Sequence, residues 1–411
     1  MSSTNSDYLT FYNAGLIVID DPPNLYNSSL YLFPFRYLPI SAYFFTPFSL
    51  LGLKLGFFTY QIFNFALNIV VIYLIYKIIQ IFMNREKKIN INYKLNRFKD
   101  VFDEPDNESI LHHSGIFLIM LPQFLNYFLG QINIVVSFLI LISLFYFLKN
   151  RLRYDLVGGL FLGLGISFKP SLILLLPFIL LLNYNRETKK LEFQFKRTII
   201  RLFGSIFPLI LSGLFFVIYP EMIEGFIEVN LTGEYTYNVG GDLEINPSFS
   251  LTRIVLILFQ LLGISISSFV VFIIITLLFY IPIFILFIFS NNSQNRLING
   301  YFTGITIMLL VYFDSWPHHI VALAPFLIFF ILLERDFKRY VFFKYVYYLI
   351  AFLILAFWII FYLTYEIFPF NLGGLILLML IYYSLVVFYV NQVKLNFKNR
   401  FNNSKEMKIF A

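Results

Sequence analysis

The sequence predicts an all-α polytopic membrane protein, and three observations predict it. Of the 411 residues, 59% are hydrophobic and 13% charged, whereas soluble domains carry roughly 45–50% apolar and about 25% charged residues. The apolar residues fall in long uncharged runs such as Phe57 to Tyr76 and Ile254 to Ser290, each at least as long as the roughly 20 residues that span a bilayer. The basic residues are gathered between those runs. Zero cysteines exclude a disulfide framework, a zinc ribbon, a thiolate nucleophile and an iron–sulfur cluster. The net charge of +7 would suggest nucleic acid in a soluble protein; in a membrane protein its distribution matters more than its sum, and no nucleic-acid partner is expected.

Five basic clusters divide the chain: Arg85 to Lys99, Lys149 to Arg153, Arg186 to Arg201, Arg335 to Lys344, and a tail from Lys394 to Lys408. The positive-inside rule puts all five on the cytoplasmic face, so the chain crosses an even number of times between any two of them. That parity orders the elements. Residues 1–56 are expected to form an outer loop with partly buried short helices, and Met1 to Asn13, polar and without an apolar core behind a basic start, does not read as a cleavable signal peptide. Phe57 to Met83 makes one crossing. Leu111 to Leu129 and Ile132 to Leu148 form a hairpin turning outside at Gly130-Gln131-Ile132-Asn133. Tyr154 to Phe168 and Ser171 to Asn183 form a second, turning at Lys169-Pro170; Leu202 to Tyr219 then runs outward. An outer loop occupies about residues 220–253, followed by an interfacial helix and a crossing near Ile264 to Ser290. Tyr301 to Phe313 and Ile320 to Leu333 flank an outer turn, Asp314-Ser315-Trp316-Pro317-His318-His319. Crossings near Tyr345 to Leu363 and Ile367 to Val390 close a bundle spanning 57–390 and leave the basic tail, 391–411, inside. The expected count is 11 crossings, with the amino terminus outside and the carboxyl terminus inside.

This arrangement places 26 of the 30 basic residues inside and leaves Arg36, Lys54, Lys169 and Arg253 on an outer face that also holds 11 acids. Cations that survive on an acidic face need a reason. Hairpin arms of about 12 to 15 apolar residues cannot comfortably span hydrocarbon at 1.5 Å per residue, so their turns sit below the outer surface, where irregular backbone is tolerated only against protein or a wet cavity. Lys169 at such a turn either snorkels to the headgroups or serves an anion facing a cavity.

The four histidines occur as two pairs. His112 and His113 read as a solvated helix end on the cytoplasmic side. His318 and His319 lie outside, four residues after Asp314; adjacent helical positions point about 100° apart and no HExxH spacing exists, so no metal is expected. They read as hydrogen-bond partners of a phosphate or as packing residues. Asp20 and Asp21 read as solvated, although the acids and aromatics between Asp7 and Tyr31 together suit a sugar, whose ring stacks on aromatic faces and whose hydroxyls donate to carboxylates. Gly158, Gly159, Gly163 and Gly165 read as a helix-packing face of small residues.

Several short motifs recur in a recognisable order: Asp7-Tyr8 followed by Tyr12-Asn13-Ala14-Gly15, Pro23-Asn24-Leu25-Tyr26, Tyr37-Leu38-Pro39, Gly130-Gln131-Ile132-Asn133, Gly163-Leu164-Gly165 leading to Lys169-Pro170, Asn246-Pro247-Ser248, and Ser315-Trp316-Pro317-His318-His319. Over about residues 7–333 the chain thereby resembles glycosyltransferase family 87, integral-membrane GT-C enzymes that include polyprenol-phosphate-mannose-dependent α-mannosyltransferases. Pro247 stands where that family commonly has Gln. Family members usually begin with a transmembrane helix before the early Asp, which leads to the expectation that either a helix precedes Met1 or this protein lacks it.

The resemblance implies a GT-C-like bundle whose active site is extracytoplasmic and which moves a hexose, mannose by the family's example, from a polyprenyl-phosphate sugar donor to a lipid or glycan acceptor with inversion. It implies Asp7 as general base. Lys169, His318 and His319, with Arg36 and Arg253, are expected at the donor phosphate. Tyr12, Tyr26, Tyr37, Gln131, Asn133, Asn246 and Trp316 are expected at the substrates. No metal or other cofactor is implied. Two other readings stay open from the sequence: a transporter or flippase of lipid-linked sugars, against which the absence of a visible inverted repeat counts, and a catalytically dead relative that binds a lipid-linked glycan.

Overall fold

The structure, a computed structural model, describes residues 7–92, 107–185, 190–232, 248–290, 295–333 and 337–409, and counts here refer to those. Helices α1 (Tyr8–Asp20) and α2 (Pro39–Ser49) pack face to face. α1 buries Tyr8, Phe11, Ala14 and Val18 on one helical stripe. The approach is close because Gly15 has no side chain: a Cβ there would come 2.3 Å from Ser49 Oγ. Hydroxyls of α2 satisfy carbonyls of α1, with Thr46 donating to Gly15 at 3.0 Å and Ser49 to Tyr12 at 2.9 Å. Rings of Phe11 and Phe45 stack at 4.5 Å.

Helix α3 (Leu53–Asn92) carries a long apolar stretch, Leu53–Asn84. The hairpin arm expected as one helix is two, α4 (Asn107–Ile119) and α5 (Leu121–Leu129), divided just before Pro122, which cannot donate a helical hydrogen bond. α5 ends on Gly130 at φ +66°, the left-handed conformation glycine adopts without steric cost. α6 (Asn133–Leu148) then leaves at 119° to α5.

Helix α7 (Leu152–Phe168) stops at Lys169-Pro170. The helix expected over 171–183 does not form. A 3-10 turn (Pro170–Leu175), the four-residue α8 (Leu176–Ile179) and a strand, β1 (Leu182–Asn185), replace it, because Pro170 and Pro177 each remove a backbone donor. β1 pairs antiparallel with β2 (Lys190–Phe193), from Leu182 opposite Phe193 to Asn185 opposite Lys190. α9 (Phe195–Ile218) returns along α7. The glycine stripe serves this contact: a Cβ on Gly159 would lie 2.4 Å from the Arg201 carbonyl oxygen and one on Gly163 2.2 Å from that of Ser205.

After α10 (Met222–Ile227), α11 (Leu251–Leu261) and α12 (Ser268–Phe289) occupy the run expected to split into an interfacial helix and a crossing. α13 (Arg296–Val311) is buried at every position from Ile298 to Val311 and forms the centre of the bundle. α14 (Ala324–Leu333) follows a 3-10 turn (Pro317–Ala322); α15 (Phe337–Phe352) and α16 (Ile354–Thr364) meet at a 54° bend; α17 (Leu372–Ile409) ends the described chain.

Four helices are long and apolar enough to cross a bilayer, and the two bent pairs bring the number to six. The other apolar helices are shorter, and α13 and α14 are shielded by neighbours rather than exposed to lipid. Two expectations about charge change. Arg201, read as part of a basic cluster on the cytoplasmic face, is buried beside Asp155, which also takes Arg197. His113, read as solvated, is buried where α4 meets α15: its backbone carbonyl accepts from Tyr347 Oη at 2.7 Å. His112 remains exposed.

Candidate active site

The turn after α13 is held by the segment that enters α11. Ser248 Oγ accepts the Ser315 N–H at 2.9 Å, Phe249 N donates to the Ser315 carbonyl at 3.0 Å, and Ser250 Oγ donates to Phe313 at 3.1 Å. Pro317 starts the following 3-10 turn. Within it, His319 Nδ1 accepts from the Trp316 N–H at 3.3 Å, so this nitrogen carries no proton. Burial, reinforced by the nearby Lys169 charge, drives the His318 imidazole down to about 3 and His319 well below the usual histidine range. Both rings are therefore neutral near pH 7 and act as polar hydrogen-bonding groups rather than cations.

Lys169 is the residue at which α7 ends. Its ammonium is buried and donates to Asn133 Oδ1 at 3.2 Å. Asn133 in turn donates to Asn126 at 3.0 Å, and Asn126 to the His318 carbonyl at 3.0 Å. Three hydrogen bonds through two carboxamides thus tie the lysine to the histidine turn. Burial lowers Lys169 to about 7, opposed by the Asp314 charge.

Asp7 sits at the start of α1, its carboxylate accepting a hydrogen bond from Gln131 Nε2. That contact depends on Gly130, where a Cβ would fall 2.6 Å from the Cβ of Tyr8; only glycine lets the α5–α6 turn press on the beginning of α1. Burial pushes the Asp7 carboxyl up to about 6, the Gln131 hydrogen bond opposing it.

Arg36 and Arg253, expected at the phosphate, both face Asp314: Arg36 in a close ion pair and Arg253 at 3.7 Å. The carboxylate fixes the two guanidiniums and removes one unit of positive charge from the site.

These groups border a cavity of about 300 Å³, at the lower end of the roughly 300–1,000 Å³ of small-molecule sites. Asp7, Arg36, Tyr37, Gln131, Lys169, Trp316, His318 and His319 line it. Asn133 and Arg253 stand one layer behind, each touching a lining residue. Tyr12 and Tyr26 do not line it. Tyr26 is buried against Phe216 and Phe226, with its hydroxyl on the Tyr37 carbonyl at 2.6 Å, which makes it a support for the Arg36-Tyr37 backbone. Asn246 lies outside the described residues. Lys54, the fourth cation expected on the outer face, is exposed at the start of α3 and does not line the cavity. Sequence reasoning missed Tyr312, Asp314, Trp358 and Tyr362, all in the lining. Asp314 had a signal in its proximity to the histidines; Trp358, the second of two tryptophans in the chain, had none.

Fold and site together define a multi-pass helical membrane protein built around one chamber in which a carboxylate, an ammonium, a guanidinium and two neutral imidazoles converge. The chain belongs to glycosyltransferase family 87, whose family model matches residues 35–312. It is a membrane glycosyltransferase, with a sugar donor and an acceptor as its substrates. The match includes Arg36, Gln131 and Lys169; Asp7 and the turn from Asp314 to His319 lie on either side of it. No curated protein matches the chain.

Proposed function

We propose that the protein is a GT-C hexosyltransferase that transfers a sugar, mannose by family resemblance, from a polyprenyl-phosphate donor to a lipid or glycan hydroxyl at the extracytoplasmic face, with inversion. The observation that carries this reading is the shared chamber of Asp7, Lys169 and the His318–His319 turn. The acceptor oxygen attacks the anomeric carbon from the face opposite the phosphate, and the new glycosidic bond forms as the bond from that carbon to phosphate oxygen breaks. The hydroxyl proton goes to Asp7, a base placed near working pH by burial. The electron pair leaves with the polyprenyl phosphate, whose charge Lys169 neutralises and the imidazoles and Arg36 can hydrogen-bond. A phosphate is a good leaving group and needs no acid.

The test uses the purified full chain in lipid nanodiscs with a radiolabelled polyprenyl-phosphate hexose. Asp7→Asn should abolish transfer while donor binding persists; normal turnover would remove Asp7 as base. Lys169→Ala should weaken donor binding, and unchanged affinity would remove it from the phosphate site. Movement of intact donor across the bilayer without a new glycosidic bond would instead favour a flippase.

A further inference from the structure

Among the polar groups of the cavity wall that the proposed chemistry does not use is the indole of Trp358. Trp358 and Tyr362, one turn apart on α16, line the chamber, and their rings pack edge to face at 4.6 Å. Trp358 also meets Trp316 at 6.5 Å, which in turn stacks on His318 at 6.2 Å. The Trp358 Nε1–H is buried and has no hydrogen-bond acceptor among the described residues. A buried indole N–H normally finds a partner, so an orphan donor in a cavity wall marks a place where a ligand oxygen belongs. A flat aromatic wall beside such a donor recognises a pyranose: the ring's C–H face lies on the aromatic face, and a hydroxyl accepts from the indole. A bare prenyl chain offers no such acceptor.

We infer that Trp358, with Tyr362, forms a hexopyranose subsite that selects the sugar while Lys169 and its neighbours hold the phosphate. This inference rests on the proposed donor chemistry, and the pyranose can come from the donor or from the acceptor.

The chain offers its own probe, because its two tryptophans, Trp316 and Trp358, both line this cavity. In the Trp316→Phe variant, intrinsic fluorescence reports Trp358 alone. The full chain in nanodiscs is titrated with farnesyl phosphate, with farnesyl-phosphoryl gluco-, manno- and galactopyranose, and with the corresponding methyl hexopyranosides. Emission should change with at least one sugar-bearing ligand and not with farnesyl phosphate. A response to a farnesyl-phosphoryl hexose only assigns the ring to the donor; a response to a methyl hexopyranoside assigns it to the acceptor. Trp358→Phe should weaken binding of the responding sugar ligand about tenfold and leave farnesyl phosphate binding, and its dependence on Lys169, unchanged. Equal responses to farnesyl phosphate and the sugar ligands, or no response to any sugar, would overturn the subsite. Loss of Lys169-dependent farnesyl phosphate binding would instead sink the donor reading on which it stands.

Discussion

At the scale of single residues, the site is governed by burial acting on two ionisable groups in opposite directions. The Asp7 carboxyl is raised to about 6 and the Lys169 ammonium lowered to about 7, because a poorly hydrated cavity disfavours whichever form is charged. As a base, Asp7 must be ionised, so the rate falls as pH drops through about 6. Lys169 must be protonated to meet the phosphate, so the rate falls again as pH rises through about 7. Initial rates should give a narrow bell for kcat/KM, which reports the free enzyme. Lys169→Arg should move the alkaline limb upward, since guanidinium does not deprotonate in this range. Gln131 offers a finer test. Its hydrogen bond holds the Asp7 carboxyl down against burial, so Gln131→Leu should shift the acid limb to higher pH and leave the alkaline limb in place. An unmoved acid limb would show that another group titrates there. Lys169 and the histidines were legible in the sequence because a cation at a short turn and a polar turn between apolar helices are anomalous locally. The Asp314 pairing with Arg36 was not, because 278 residues separate the partners.

At the scale of elements, α7 and α9 form the frame that presents Lys169. Their backbones touch through Gly159, Gly163 and Gly204, so Gly163→Val must overpack the contact and should cost about 1–3 kcal/mol, read as a lower melting temperature together with lost activity. Gly213→Val, on the same α9 but with nothing within 4 Å of a new Cβ, should leave melting close to wild type. At the other end of the pair, Asp155 takes Arg201 at 2.8 Å and Arg197 at 2.7 Å. Removing one partner of a buried ion pair leaves an uncompensated charge, so Asp155→Ala should cost about 3–5 kcal/mol. The glycine stripe was legible because small residues at helical spacing have one common use. Its partner was not: the Arg197 to Arg201 cluster looked like an ordinary cytoplasmic loop, and only the contact with α7 turns it into a clamp. The helix expected over 171–183 failed for a local reason, two prolines seven residues apart, Pro170 and Pro177, whose consequence the apolar composition concealed.

At the scale of the whole molecule, the proposed orientation is open to direct labelling because the natural chain contains no cysteine. Ser29, in the segment between α1 and α2, and Glu192, on β2, are both exposed. With the amino terminus outside, Ser29→Cys should react with a membrane-impermeant maleimide in intact cells, and Glu192→Cys only after the membrane is opened. The reverse pattern would place the chamber on the cytoplasmic side and end the extracytoplasmic proposal.

The sequence by itself determined that the chain lives in a bilayer, since no water-facing surface could hide so many apolar side chains, and it marked most of the polar residues that line the chamber. It did so because hydrocarbon makes every retained charge conspicuous. Only the tertiary structure decided how those residues are employed. Asp314 binds the arginines expected at the phosphate, Gln131 steadies Asp7 across 124 residues, Asn133 orients Lys169, and Trp358 joins the wall from the far end of the chain. Such pairings follow from which helices pack together and at what angle, and long-range packing leaves no periodic trace in the residues that make it.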